Sequence, residues 1–213
     1  MAVTATRAAV FLDKDGTLVE NVPFNADPAR LAFTPSALPA LALLAAAGYA
    51  LVVVTNQPGI ASGRIGRAEF ARLECALAHR VRTEAGVALA GIFACPHVPG
   101  AAGEPACPCR KPAPGLIERA ARSLGIDLAR SWMVGDILDD IEAGARAGCR
   151  TVLLDVGNET VWRTSPLRTP RHRVRDLYEA AQRILAEDFP SARPSRGGAR
   201  GSSGGTTIAT ETT

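Results

Sequence analysis

Residues Ala8–Thr17 read AAVFLDKDGT, and this stretch decides the fold class predicted for the chain. Its five leading apolar residues predict a buried strand that stops at two carboxylates, Asp13 and Asp15. The next residue, Gly16, indicates a turn, so both acids should lie just past the carboxyl end of the strand, where open α/β sheets bind their ligands. Such a pair can hold a hard cation such as Mg²⁺ or supply a nucleophile and a proton donor. The alternative is an Asp-rich surface turn without a ligand.

The rest of the chain alternates between strand and helix patterns. Residues 19–34 are predicted to form a loop, because they lack a period and contain prolines, and Ser36 is a candidate N-cap for the helix that follows. Further strands are predicted at 51–54, 91–94, 132–134 and 151–154, and helices at 36–47, 67–84, 114–124, 138–147 and 176–186. This alternation predicts parallel pairing through right-handed crossovers, and therefore an α/β fold in three layers with a doubly wound parallel sheet.

The composition predicts one domain with a tail. A chain of 213 residues, 47% of them hydrophobic, can bury a substantial core, which we place in residues 1–189. Residues 190–213 are rich in Gly, Ser and Arg, have almost nothing to bury, and are expected to be disordered. Contacts of the tail arginines with a nucleic acid are the alternative to a solvated tail.

Charge and hydropathy narrow the location and the partners. The net charge of +3 is too small to indicate a nucleic acid or a membrane as the main partner. No secretory signal is visible, and the longest apolar tract, 38–54, is interrupted by Pro39 and Gly48. We therefore expect a soluble, cytoplasmic protein with reduced cysteines, and we predict that it is a monomer.

Polar residues recur where the other predicted strands end. Thr55 and Asn56 follow the second strand, Arg110 and Lys111 lie in the loop after the third, and Asp136 follows the fourth. Separately, these residues could be a turn, a solvated cation pair and acids at the start of a helix. Because a parallel sheet brings such positions together at one edge, their joint occurrence predicts a site for an anionic ligand.

The cysteine pattern predicts a second metal. Cys95-x-His97 and Cys107-x-Cys109 supply three thiolates and one imidazole, which suit a closed tetrahedral Zn²⁺ site. The alternative is a disulfide in a secreted protein. Zinc coordination contributes on the order of 10 kcal/mol in small metal-folded peptides, enough to hold a loop rich in Pro and Gly. Since Arg110-Lys111 follow Cys109 directly, we expect the zinc to position these two cations.

Four segments, in this order, resemble the motifs of the haloacid dehalogenase superfamily in its phosphatase branch. They are DKDGT at 13–17, TN at 55–56, KP at 111–112 and GDILDD at 135–140. The resemblance implies a Rossmann-like fold and an Asp13 nucleophile that forms an aspartyl-phosphate. It also implies that Asp15 is the general acid and then the base, so its surroundings should favour the protonated form.

The same resemblance implies the ligands of the site. Mg²⁺ would be held by Asp13, Asp136 and the main-chain carbonyl of Asp15, with Asp140 orienting the metal. The residues assigned to the substrate and its phosphoryl group are Thr55, Asn56, Gln57, Arg110 and Lys111.

The zinc-ligand pattern followed by Arg-Lys-Pro is similar to that of the heptose-bisphosphate phosphatases and the histidinol phosphatases. This implies a minimal cap and a small phosphorylated metabolite, a sugar phosphate, as the substrate. Heptose 1,7-bisphosphate, cleaved at its 7-phosphate, is the leading candidate substrate, and histidinol phosphate is the alternative. A catalytically silent module that binds a phosphorylated ligand is a third alternative. The chain departs from the heptose enzymes at Ile137, where they often carry Lys, at Pro58, where Ser is usual, and in the loop 20–24.

Overall fold

A computed structural model describes residues 6–100 and 107–190, and their centre is a six-stranded, fully parallel sheet. The strands are β1 (Ala9–Leu12), β2 (Ala50–Asn56), β3 (Gly91–Cys95), β4 (Trp132–Gly135), β5 (Arg150–Leu154) and β6 (His172–Val174). The predicted doubly wound α/β fold is confirmed. The predicted tail lies outside the described residues from 191 onward.

The strand order is β3-β2-β1-β4-β5-β6, so the chain winds away from β1 on one side and then returns to build the other side. Phe11 of β1 pairs with Val52 of β2 on one side and with Met133 of β4 on the other. The direction of winding reverses between β1 and β4, and the crevice at that point is where sheets of this order bind ligands.

Helices cover both faces of the sheet. They are α1 (Ala37–Ala46), α2 (Pro58–Ala61), α3 (Arg67–Glu84), α4 (Gly115–Leu124), α5 (Leu138–Arg146) and α6 (Leu177–Asp188). Val10 and Leu12 of β1 pack into the same core as α1, α3 and α6, whereas Ala9 and Phe11 pack with α4 on the opposite face. Burial on both faces explains why this strand is continuously apolar in sequence.

The short helix α2, the strand β6 and the role of Ser36 were not predicted. The edge strand β6 is only three residues long, and of these only Val174 is buried, so it lacks an apolar pattern. Ser36 stands at the N-cap position of α1, but its hydroxyl makes no cap there. Instead, Ser36 Oγ accepts a hydrogen bond of 3.1 Å from the main-chain N–H of Leu177, at the start of α6. The side chain therefore ties two neighbouring helices together.

The segments that leave the carboxyl end of the sheet contain turns and loops but, in the described residues, no inserted domain, as expected for a minimal cap. Between β1 and α1, the segment holds a 3₁₀ turn at Pro28–Arg30, where Asp27 Oδ1 accepts from the Ala29 N–H, and Val19 forms an isolated bridge with Phe33. The crevice is thus bordered by loops rather than by an inserted domain. No helix in the described part of the chain has both the length and the apolar character needed to cross a membrane.

Candidate active site

The candidate active site lies at the carboxyl ends of β1, β2 and β4. The Asp13 N–H donates to the carbonyl of Val134 at 3.0 Å, so the residue extends the parallel pairing just beyond β1 and directs its side chain into the crevice. A cavity of about 240 Å³ opens there. It is lined by Asp13, Asp15, Asn21, Thr55, Asn56, Arg110, Lys111, Asp136, Ile137, Asp139, Asp140 and Asn158.

Lys111 is a buried cation of this site. Its ammonium forms an ion pair with Asp13, a second one with Asp140 at 2.6 Å, and a hydrogen bond of 2.9 Å to the carbonyl of Val54. Burial alone would lower the pKa of Lys111, but the two carboxylates raise it above its usual value. The ammonium is therefore charged at neutral pH and available to an anionic group entering the cavity.

Asn56 holds the main chain of Lys111 on both sides. Its Oδ1 accepts from the Lys111 N–H, and its Nδ2 donates to the Lys111 carbonyl, each at 3.1 Å. Asn56 follows Thr55 at the end of β2, whereas Lys111 comes from the loop after β3. Both polar atoms of this amide are thus engaged with the protein, although the side chain lines the cavity.

Asp15 is surrounded by donors and is largely removed from water. Lys14 Nζ lies 2.6 Å from its Oδ1, and Gln57 Nε2 donates to its Oδ2 at 2.8 Å. Burial raises the pKa of Asp15, despite the opposing effect of Lys14 and with a further rise from Asp13. This is the direction expected of a carboxyl group that must hold a proton. Gln57 also donates to Thr55 Oγ1 at 3.0 Å, so it links the acid to the end of β2.

Three carboxylates lie close together beside the Lys111 ammonium. Oxygen atoms of Asp13, Asp136 and Asp140 all lie within 4.8 Å of one another. Burial raises the pKa of Asp136 to about 6 and that of Asp140 to about 8, and the charge of Asp13 adds to both shifts. Crowded oxygen ligands of like charge in a buried site are what a hard divalent cation neutralises. The residues therefore fit Mg²⁺, and they include the side chain of Asp140, whereas that of Asp15 is engaged elsewhere.

The Asp136 carboxylate is held by neutral donors. Thr17 Oγ1 donates to its Oδ1 at 3.1 Å, and Asn158 Nδ2 donates to its Oδ2 at 2.7 Å. A Cβ on Gly16 would lie 2.2 Å from Asp136 Oδ2, and this residue has φ of +89°, so only glycine allows the close approach. Asn158 was missed by sequence reasoning. The Gly157-Asn158 turn signal just after β5, at the same edge of the sheet, could have identified it.

The four predicted zinc ligands lie together beyond β3. The sulfur atoms of Cys95, Cys107 and Cys109 are 3.2 to 3.5 Å apart, and His97 Nδ1 is 3.4 to 3.5 Å from two of them. Zinc–sulfur bonds of about 2.3 Å in a tetrahedron place sulfur atoms about 3.8 Å apart, close to the observed spacing. A disulfide would need about 2.05 Å. The donor set therefore fits Zn²⁺.

The cysteine–histidine cluster is joined to the active-site cavity through Arg110. Its guanidinium donates to the His97 carbonyl at 3.2 Å, and Arg110 also lines the cavity. Lys111, the next residue, contacts Asp13 in the same cavity, so the cluster and the buried lysine are adjacent along the chain.

Comparison with known proteins identifies close relatives. Residues 108–180 match the model of the HAD-hydrolase-like family. The chain is 42% identical over 143 residues to a D-glycero-β-D-manno-heptose-1,7-bisphosphate 7-phosphatase of Mesorhizobium japonicum, covering 66% of this chain and 65% of the relative. It is 41% identical to the Salmonella typhi enzyme of the same name, over 86% of this chain and 94% of the relative.

A solved structure supports the same relationship. The D,D-heptose 1,7-bisphosphate phosphatase from B. bronchiseptica, crystallised with magnesium and phosphate, superposes with a TM-score of 0.69 at 30% identity. The match covers 84% of this chain and 99% of the B. bronchiseptica chain.

Proposed function

We propose that this chain hydrolyses the 7-phosphate of a heptose 1,7-bisphosphate, because it belongs to the haloacid dehalogenase-like phosphatases and, within them, to the family of the heptose-1,7-bisphosphate 7-phosphatases. The observation that carries the proposal is the contact of the Lys111 ammonium with the Asp13 carboxylate. Two residues after Asp13 stands Asp15, a carboxyl group whose pKa is raised. An attacking carboxylate, a cation for the phosphoryl oxygens and a proton donor are the groups that phosphate ester cleavage requires.

In the first step, a carboxylate oxygen of Asp13 attacks phosphorus and the bond from phosphorus to the sugar oxygen breaks. The Asp15 carboxyl group transfers its proton to that oxygen, so the sugar leaves as an alcohol. Lys111 neutralises charge on the phosphoryl group, and the hydroxyl of Thr55, which lines the same cavity, donates to it. Gln57 keeps Asp15 and Thr55 in one arrangement.

In the second step, Asp15, now a carboxylate, takes a proton from water while the water oxygen attacks phosphorus. The bond from phosphorus to Asp13 breaks, which releases inorganic phosphate and restores both acids. A Mg²⁺ held by Asp13, Asp136 and the Asp15 carbonyl, with Asp140 beside it, would supply Lewis-acid stabilisation of the phosphoryl charge.

Substitution of the two acids tests this mechanism. Asp13→Asn should abolish Mg²⁺-dependent turnover of p-nitrophenyl phosphate, since the nucleophile is lost. Asp15→Asn should still react with this ester, because its leaving group needs little protonation, but the aspartyl-phosphate should then accumulate and be detectable after rapid acid quench. Equal turnover by Asp13→Asn would reject the enzyme assignment and favour a silent ligand-binding module.

A substrate panel tests the specificity. Heptose 1,7-bisphosphate should exceed histidinol phosphate by at least tenfold in kcat/KM, equivalent to about 1.4 kcal/mol of differential transition-state binding. Ile137 lines the cavity, so the site has no second lysine there for the 1-phosphate. We therefore expect the unaltered protein to prefer the bisphosphate over the 7-monophosphate less strongly than the Ile137→Lys variant does. A tenfold preference for histidinol phosphate would reverse the ranking.

A further inference from the structure

Asp136 differs from the other two clustered carboxylates in how its charge is balanced. Lys111 forms ion pairs with Asp13 and Asp140. Within residues 6–100 and 107–190, no lysine or arginine forms an ion pair with Asp136. Its two oxygens depend instead on the hydroxyl of Thr17 and the amide of Asn158. A hydrogen bond to an ionised carboxylate favours the charged form, and a neutral donor does so without competing with a divalent cation.

The loop that supplies Asn158 is attached to the same segment at a second point. Glu159 Oε2 accepts a hydrogen bond of 2.8 Å from the Leu138 N–H, at the start of α5 and two residues after Asp136. Gly157, with φ of +86°, makes the turn that brings these two side chains back towards β4. Consecutive residues of this loop thus hold the metal-facing carboxylate and the helix that follows it.

We propose that Asn158 is a positioning residue for the divalent cation site, acting through Asp136. This inference rests on the proposed function, because it concerns the metal used there. The Asn158 amide occupies one lone pair of Asp136 Oδ2 and, with Thr17 on Oδ1, sets the carboxylate plane. The other lone pairs of the carboxylate are left for a cation shared with Asp13, and the carboxylate need not rotate when that cation binds. Partners that orient metal ligands typically change metal affinity 10- to 100-fold when removed.

The test is a titration of the zinc-loaded protein with Mn²⁺ alone, without substrate, followed by the EPR signal of free Mn²⁺. Asn158→Ala should bind Mn²⁺ at least about tenfold more weakly than the unaltered protein, and Asn158→Gln, which keeps an amide donor, should recover part of the loss. The matched control is Val161→Ala, an exposed residue of the same loop, which should leave the affinity unchanged. The Mg²⁺ concentration for half-maximal activity should follow the same order, whereas thermal unfolding of the zinc-loaded protein without added Mg²⁺ or Mn²⁺ should be little affected.

Mn²⁺ affinities of Asn158→Ala and Asn158→Gln within twofold of the unaltered protein would overturn the inference. Should the alanine variant not fold, the glutamine variant and Asn158→Ser decide the question by the same titration. Failure of the unaltered protein to bind Mn²⁺ would instead reject the metal dependence in the proposed function, so the two failures are distinguishable.

Discussion

Asn56 presents a choice between two roles that experiment can separate. It was predicted to contact the substrate, yet both of its polar atoms bond to the main chain of Lys111 at 3.1 Å. If it positions Lys111, then Asn56→Ala removes two hydrogen bonds, each contributing about 1 kcal/mol net, and lowers the free energy of unfolding by about 2 kcal/mol. For a domain of this size, this corresponds to a decrease in Tm of about 4 to 8 °C.

The kinetic effect should fall on kcat. Lys111 contacts the proposed nucleophile, so a small shift of its backbone misplaces the cation at the reacting phosphorus and should lower kcat by tenfold or more. The assay pairs thermal unfolding with steady-state kinetics on p-nitrophenyl phosphate at saturating Mg²⁺. Asn25→Ala is the control, because that exposed amide makes a single local hydrogen bond, to the Asp27 N–H at 3.0 Å. Its Tm and kcat should be unchanged.

The reasoning would be refuted by an Asn56→Ala protein with an unaltered Tm, an unaltered kcat and a raised KM. That pattern belongs to a side chain that binds substrate and does not hold Lys111.

Three further predictions concern stability and zinc. Burial raises the pKa of Asp188, but hydrogen bonds from Arg150, Tyr49 and Trp132 outweigh it and hold this pKa below its usual value. Asp188→Asn should therefore lower the free energy of unfolding in urea by about 2 kcal/mol at pH 7. The stabilisation is present above the unfolded-state pKa and disappears as pH falls through the folded one, so the difference should shrink below about pH 4. Gly144→Ala should cost about 1 to 3 kcal/mol, because its Cβ would lie 2.6 Å from a side-chain atom of β4; a Tm within 1 °C of the unaltered protein would contradict the packing. Cys107→Ser should lower zinc content and activity together, whereas substitution of the exposed Cys75 by Ser should change neither. An inactive but zinc-replete Cys107→Ser protein would contradict the idea that zinc positions the cations beside the cluster.

The sequence by itself was sufficient for the fold class, and it placed the proposed site residues at strand ends that the structure brings to one cavity. A continuous apolar run that ends in Asp13 and recurs with alternating helix patterns is typical of strands buried on both faces of a parallel sheet, and such sheets collect strand-end residues at one edge. The spacing of Cys95, His97, Cys107 and Cys109 likewise restricted the chemistry to a few possibilities, because these side chains have few functions in common other than metal binding. These conclusions depend on local sequence pattern and on residue chemistry, and both can be read from the amino-acid sequence.

Only the tertiary structure decided which partner each polar group has. Asn56 and Lys111 are 55 residues apart, and Asp136 and Asn158 are 22 apart, so no periodicity or motif links them. The short strand β6 and the Ser36–Leu177 hydrogen bond escaped sequence reasoning for the same reason. Hydrogen bonds are directional and act over about 3 Å, so their partners depend on how separate elements pack, and that packing is settled by the fold as a whole.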